Sequence, residues 1–462
     1  MYEADVAPER VKFLKWDNWS KWVLFLLLGY AITGRSFSYL GIPPAKLFIG
    51  DITLAAFIFL GPRKLFDRWI KALTTGGPLG PFAWVLLASV GYGIFEVIRG
   101  ILAGFSPVTA IENLVFNIYP LYLFLGMWVG IRRPELLLKY FQLYAICFCV
   151  YAPAYFLFLH NVDIQMPGSD GITVFGQAAG GGFIILALLC LDPKPSRFWF
   201  PITMAGIALL AAQVRAEWLG MGFALMIWGV LARKMRRVAM ISALMLALLA
   251  IGYALDINIP SPAERGGAIS SREIIARGIS AASPELARDL TGSENTSFYG
   301  GTIKWRQTWW RAIREHSNEN YTMLLIGPGY GYLLRNLVNY LKDLGEIRTP
   351  HNVFFYALGY SGWVGVVLFF SLQATVGSLV WRVYRLTGQP FGLAFWAAAL
   401  LSAFFGNVME TPSGAIPFYL TLGLIIGPSL SLVRYPARQE LFHRELSSVT
   451  YTTEAVYTPE GV

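Results

Sequence analysis

The sequence predicts an all-α polytopic membrane protein of about twelve transmembrane helices, with a helical cap on its outer face. Three observations carry this reading. Apolar residues make up 55% of the 462 residues and charged residues only 14%, against roughly 25% charged in a typical soluble domain. Apolar runs of about 20 residues recur along most of the chain, the length a helix needs to cross a bilayer. Lys and Arg gather in alternate connections between these runs, which is the positive-inside pattern. A soluble multidomain enzyme, a disordered chain and a disulfide-built secreted domain are excluded. The formal charge of +9 first suggests a polyanion, but most of it sets orientation, and no nucleic-acid partner is expected.

The elements follow in order. Residues 1–21 carry Arg10, Lys12, Lys15 and Lys21 and read as a cytoplasmic N-terminus. No small-x-small cleavage site follows cleanly, so the next apolar run reads as an uncleaved span. Spans one to nine fall within residues 22–257: Trp22–Arg35, Ala45–Leu60, Phe82–Ala103, Val108–Val129, Leu136–Leu159, Val174–Leu191, Phe198–Val214, Glu217–Leu231 and Val238–Ile257. Spans ten to twelve fall within residues 352–433: Asn352–Val380, Leu393–Met409 and Ala415–Val433. The basic groups Arg63–Lys71, Arg132–Lys139, Lys194–Arg197, Arg233–Arg237 and Arg382–Arg385 then all face the cytoplasm. So does the tail, 434–462, which is polar from Ser447 and expected to be disordered. The intervening segment, 258–351, is the one long polar stretch and lies outside. Helical patterns at Ser271–Ile279, Thr302–Glu315 and Tyr332–Leu341 predict a small periplasmic cap, with Trp305, Trp309 and Trp310 on one side of its central helix. Cys147, Cys149 and Cys190 lie in apolar runs and read as buried hydrophobes, not as a disulfide or zinc framework.

Four features bring polar chemistry to the outer face. Arg215 stands at the tight turn between spans seven and eight, where a cation is costly unless it pairs, anchors or serves a site. Lys304-Trp305-Arg306-Gln307-Thr308-Trp309-Trp310-Arg311 lies in the cap, and Arg306 and Trp310 share a helix face. An ordinary solvated helix with an aromatic seam is the alternative, and it is the economical reading of Arg311. Gly327-Pro328-Gly329-Tyr330-Gly331 precedes a helical pattern, so its backbone N–H groups offer an anion site, although a plain turn suits the same residues. Thr349-Pro350-His351-Asn352 opens span ten. Thr349 caps, Pro350 enters the first turn, and the helix dipole keeps the His351 imidazole neutral and able to accept a proton. Capping or interfacial anchoring is the alternative for His351.

Guanidiniums and one imidazole on a single surface suit a phosphate-bearing substrate. No HExxH, Asp-x-Asp pair or carboxylate cluster with metal spacing occurs in the sequence, so neither a metal nor a cofactor is expected. Within the spans, Glu96 and Arg99 are three apart and can pair on one face; a place in a substrate groove is the other reading. Gly176-x-x-x-Gly180-Gly181-Gly182 permits close helix packing, with a side entrance for a polyprenyl tail as the alternative.

His351-Asn352 followed by Gly362 and Gly365 resembles the His-Asn…Gly-x-x-Gly signature of the bacterial O-antigen ligase and polysaccharide polymerase family. Arg306-x-x-x-Trp310 and then Gly327-x-Gly329 resemble that family's Arg-x-x-x-Trp…Gly-x-Gly stretch. Arg215 with Trp218-Leu219 is similar to its Arg after the seventh span. The match covers roughly residues 200 to 370. Val214 stands where the family often has Ser, and Leu324-Leu325 where it usually has Pro. The resemblance implies a GT-C-type membrane glycosyltransferase of lipopolysaccharide biosynthesis in the bacterial inner membrane. Its donor would be an undecaprenyl-diphosphate-linked glycan and its acceptor a sugar hydroxyl on lipid A–core, or on another lipid-linked glycan in a polymerase. Arg215 and Arg306 would hold the diphosphate, His351 would take the acceptor proton or bind phosphate, and Arg311, Trp310, Asn352, Gly327 and Gly329 would line the substrate. A transporter or flippase is the competing class for twelve spans, but it would place its polar groups at the midplane.

Overall fold

The computed structural model describes residues 18–42, 47–61, 64–167, 171–177, 180–192, 194–260, 268–280, 283–291, 302–339 and 349–434. The basic groups expected at Arg10, Lys12 and Lys15, and the tail from residue 435, lie outside the described residues.

The described chain is all-α apart from two short hairpins. Helices α1 (Asn18–Thr33) and α2 (Arg35–Ser38) lead into a hairpin of β1 (Gly41–Ile42) and β2 (Leu47–Phe48). Then come α3 (Ile49–Leu60), α4 (Lys64–Thr75), α5 (Gly80–Leu102), α6 (Pro107–Ile118), α7 (Tyr122–Arg132) and α8 (Leu136–Leu157). Helices α9 (Gly181–Leu191), α10 (Trp199–Ala211), α11 (Arg215–Leu231) and α12 (Met235–Ala254) follow. A second hairpin, β3 (Asn258–Pro260) with β4 (Ala268–Ser270), opens the polar segment. That segment holds α13 (Ser271–Ile279), α14 (Pro284–Thr291), α15 (Thr302–Ser317) and α16 (Tyr321–Ile326). Last are α17 (Val353–Thr387), α18 (Phe391–Ala403) and α19 (Pro412–Arg434).

Among the described residues, five helical segments are long and apolar enough to cross a membrane: Gly80–Leu102, Pro107–Arg132, Leu136–Leu157, Met235–Ala254 and Val353–Thr387. Shorter apolar helices include Ile49–Leu60, Gly181–Leu191 and Phe391–Ala403. Each of the twelve expected spans contains a helix, but several are shorter than expected. Span six begins only at Gly181, because Gly180 takes a left-handed φ of 82°. Farther ahead, Gln165 and Thr173 form an isolated antiparallel bridge, and the Val174 N–H donates to the Ile164 carbonyl at 2.7 Å. Span eleven ends at Ala403 rather than Met409, in a turn that proves central to the site. The pattern at Tyr332–Leu341 gives only a 3-10 turn at Leu334–Leu337, and residues 340 and 341 lie outside the described set.

Small residues set the closest packing. In α7, Gly126 and Gly130 face Gly423 and Gly427 of α19, and a β-carbon at any of the four would meet the opposing helix. This pair of GxxxG patterns lets the two backbones approach as apolar side chains could not. The Gly176–Gly182 run behaves likewise. Gly181 packs on the Ala205 carbonyl of α10 and Gly182 on Met221 of α11, which favours the packing reading of that motif. Helix α17 is two helices joined at Gly362, whose φ of 58° and ψ of −161° interrupt the helical backbone. A β-carbon at Gly362 would strike the backbone of Leu325 and Ile326, so the kink is where α16 seats against α17. On the polar segment, Trp309 is fully buried and donates its indole N–H to the Leu334 carbonyl at 2.9 Å. Trp310 stacks on Phe355 of α17 at 5.3 Å and 8°. The tryptophan side of α15 therefore rests on the start of α17.

Candidate active site

The end of α18 and the turn after it draw three expected regions together. Ser402 donates its hydroxyl to the Ala216 carbonyl at 3.4 Å, beside Arg215. The Phe404 carbonyl accepts from Asn352 Nδ2 at 2.9 Å, beside His351. The Phe405 carbonyl accepts from Arg306 Nη1 at 2.9 Å. Ser402, Phe404 and Phe405 thus touch the starts of α11 and α17 and the second turn of α15, although these elements are far apart in sequence.

Each side chain has a local cause for its place. Arg215 is the first residue of α11, half-buried, and its Nη1 donates to Ser280 Oγ at 2.9 Å. Ser280 ends α13 and passes its own proton to the Arg277 carbonyl at 2.9 Å. Arg306 is half-buried on α15, its guanidinium carbon 5.4 Å from the Trp305 ring centre. His351 packs edge-on against the same indole, with ring centres 5.6 Å apart at 82°. Trp310 donates its indole N–H to the Pro350 carbonyl at 2.8 Å, holding the approach to His351. Arg311 is exposed on the same helix, which agrees with the solvated-face reading.

The cap of α17 differs from the expectation. Asn352, not Thr349, caps the helix: its Oδ1 accepts from the Phe354 and Phe355 N–H groups at 2.9 and 3.2 Å. An Asn side chain reaches these otherwise orphaned donors from an extended backbone, which leaves Pro350 and His351 ahead of the helix. His351 then adopts a left-handed φ of 53°, a conformation that strains a residue bearing a β-carbon.

The glycine loop also differs. It does not open a helix but closes α16, with Gly327 as the C-cap at φ 66°. A helix C-terminus presents carbonyls and a negative dipole end, so it attracts a cation. Arg99 supplies one, reaching from α5 to the Gly327 carbonyl at 2.7 Å and to that of Ile326. Glu96, fully buried, pairs with the same guanidinium, as the sequence spacing anticipates. The loop N–H groups are used within the protein. Gly329 donates to the Tyr360 carbonyl at 3.1 Å, Tyr330 to that of Glu96 at 3.2 Å, and Gly331 to Asn113 Oδ1 at 3.0 Å. The Tyr330 hydroxyl bonds Asn117. Gly327 and Gly329 therefore act as a clasp tying α16 to α5 and α17, and the geometry does not support an anion cradle there.

Several contributors had no clear mark in the sequence. Ser280 is an ordinary polar residue until α13 brings it to Arg215. The Phe404 and Phe405 carbonyls carry no side-chain signature, although Gly406-Asn407 signals a turn. Glu410 sits in that turn, 5% exposed. An apolar crevice lined by Gly180, Phe183, Leu209, Met221 and Ala224 runs beside Glu217, close to Arg215 in sequence. Among the described residues, no group of three or more His, Cys, Asp or Glu side chains could hold a metal ion.

No curated protein matches the chain. Residues 200–370 match a family model described as O-antigen ligase. That stretch runs from α10 into α17 and includes Arg215, Arg306, the glycine clasp, His351 and Gly362. Over that stretch the chain is similar to O-antigen ligases, which supports the O-antigen ligase and polysaccharide polymerase family.

Proposed function

We propose that this protein moves a glycan from undecaprenyl diphosphate to a sugar hydroxyl at the periplasmic face of the bacterial inner membrane, most simply as an O-antigen ligase acting on lipid A–core. The family implies O-antigen ligase or polymerase-type glycosyltransferase activity. The finer reading rests on one observation: the 402–405 segment, the end of α18 and its following turn, binds Arg306 directly and meets the neighbours of Arg215 and His351. Twelve spans with both termini inside, and a periplasmic cap built on α13 to α16, follow from the distribution of Lys and Arg.

In this reading the acceptor hydroxyl oxygen attacks the anomeric carbon as the bond from that carbon to the diphosphate oxygen breaks. The leaving undecaprenyl diphosphate takes the bonding electrons. Arg215 and Arg306 stabilise the growing negative charge, and loss of such a donor typically costs on the order of 10²–10³ in rate. His351 accepts the hydroxyl proton, worth roughly 10²–10⁴. Single displacement inverts the anomeric configuration. Arg306 would exchange the Phe405 carbonyl for a phosphate oxygen, a stronger partner because both sides are charged. The crevice beside Glu217 offers apolar surface for the first isoprenyl units.

The test incubates purified protein with undecaprenyl-diphosphate glycan and either lipid A–core or a second lipid-linked glycan. Wild type is expected to transfer one glycan to lipid A–core, and His351→Ala to fall by roughly 10²–10⁴. Long products on the lipid-linked glycan alone would assign a polymerase. Undiminished transfer by His351→Ala would remove the imidazole from the mechanism.

A further inference from the structure

The 404–411 turn carries a group that the mechanism above leaves unused. Glu410 is 5% exposed, and among the described residues neither carboxyl oxygen has a hydrogen-bond partner. Its nearest donors are the backbone N–H groups of Met409 and Glu410 itself, and neither reaches bonding geometry. No cation pairs with it among the described residues. The titratable side chain that feels it from a neighbouring element is Tyr356 of α17, whose hydroxyl accepts from Asn113 of α6 at 3.1 Å. Arg306 of α15 meets the same turn at Phe405, and His351 precedes the Asn352 that meets it at Phe404.

A buried polar group without a partner weakens a fold, and an apolar side chain of similar size would pack there without that cost. Stability therefore does not account for a carboxyl at this place. The turn itself does. Its far end is closed on itself by the Thr411 hydroxyl, which donates to the Asn407 carbonyl at 2.7 Å, and is seated on α19 where Gly414 packs on the Val408 backbone. Its near end supplies the two carbonyls that hold Asn352 and Arg306. Glu410 is buried in the stretch between them.

We propose that Glu410 is a positioning residue of this site, acting as a neutral carboxylic acid that fixes the turn on which Arg306 and Asn352 rest. The proposal builds on the functional reading above. Ionising Glu410 would set an unpaired charge in that interior and drive the turn outward, carrying the Phe405 and Phe404 carbonyls away from their donors. Burial pushes its pKa up to about 8 from an ordinary 4.5, so the neutral form persists at neutral pH. A carboxylate serving as base or as sugar ligand would need to be charged and reachable. Glu410 is sealed from solvent and holds its proton.

The experiment compares wild type with Glu410→Gln, an uncharged isostere, across pH 6 to 10 in lipid nanodiscs. Both the transfer rate and the thermal unfolding midpoint are followed. Wild-type transfer should fall about tenfold per pH unit above about pH 8. The Gln variant should keep its neutral-pH rate and lose that alkaline fall, while any limb from His351 stays in both. Stability adds a second readout. Between pH 4.5 and about 8 the folded protein holds a proton that the unfolded chain releases, so wild-type stability declines as pH rises through that window. Glu410→Gln should lack this decline. A folded Gln variant that is inactive at every pH, or that keeps the alkaline fall, would overturn the proposal. Should wild type show no transfer at all, the functional reading fails by itself. The unfolding profiles then decide for Glu410, and coincident profiles would overturn its role.

Discussion

His351 holds a φ of 53° where the other left-handed residues with β-carbons have a routine cause. Gln213, Arg233 and Asp256 each stand two residues past the end of a helix, α10, α11 and α12, the usual left-handed position of a helix C-terminus. His351 instead directly precedes the cap of α17, braced by Trp305 on its ring and by Trp310 through the Pro350 carbonyl. Strain of about 1–3 kcal/mol persists only where surroundings over-determine it, and such residues cluster at functional sites. Arg99 anchors the glycine clasp. Arg99→Ala would leave the fully buried Glu96 without its partner and strip the Ile326 and Gly327 carbonyls of theirs. Breaking a buried pair from one side costs about 3–5 kcal/mol. The unfolding midpoint of Arg99→Ala should therefore drop clearly below wild type, and transfer should weaken as α16 loosens. An unchanged midpoint would refute the clasp.

At the scale of elements, the sequence was most legible where the signal is local. Ser271–Ile279 is expected and found with the same limits, because Ser270 caps it by accepting from the Glu273 N–H. The pattern at Thr302–Glu315 becomes α15 with two more residues, its tryptophans on one side as the 3.6-residue period requires. The misses are non-local. The glycine loop reads as a helix start from its flanking sequence, yet it is fixed by Arg99, 228 residues away. Thr349 and Asn352 both suit a cap, and the choice falls to Asn352, whose Nδ2 also finds the Phe404 carbonyl 52 residues on. The Gly126/Gly130 and Gly423/Gly427 pairing is spread over nearly 300 residues, so only the assembled helices reveal it. Gly362, taken from the family signature, proves to be a kink that seats α16.

At the scale of the molecule, the sequence proposes candidate site residues but not the part that links their surroundings. That part is the turn at Phe404 and Phe405, whose backbone carbonyls no side-chain pattern records. The orientation in the membrane rests on the basic loops alone. A cysteine placed at the exposed Arg311 should react with a membrane-impermeant thiol reagent in intact spheroplasts. Reaction only after permeabilisation would reverse the topology. The central claim is that Arg215 on α11 and Arg306 on α15 serve one diphosphate. A double-mutant cycle tests it most directly, with transfer rates of Arg215→Ala, Arg306→Ala and the double variant at saturating acceptor. Each single change should cost on the order of 10²–10³. The double should cost clearly less than the product of the two, since groups holding one anion are coupled. Single variants that transfer at the wild-type rate, or costs that multiply fully as for independent sites, would contradict the account.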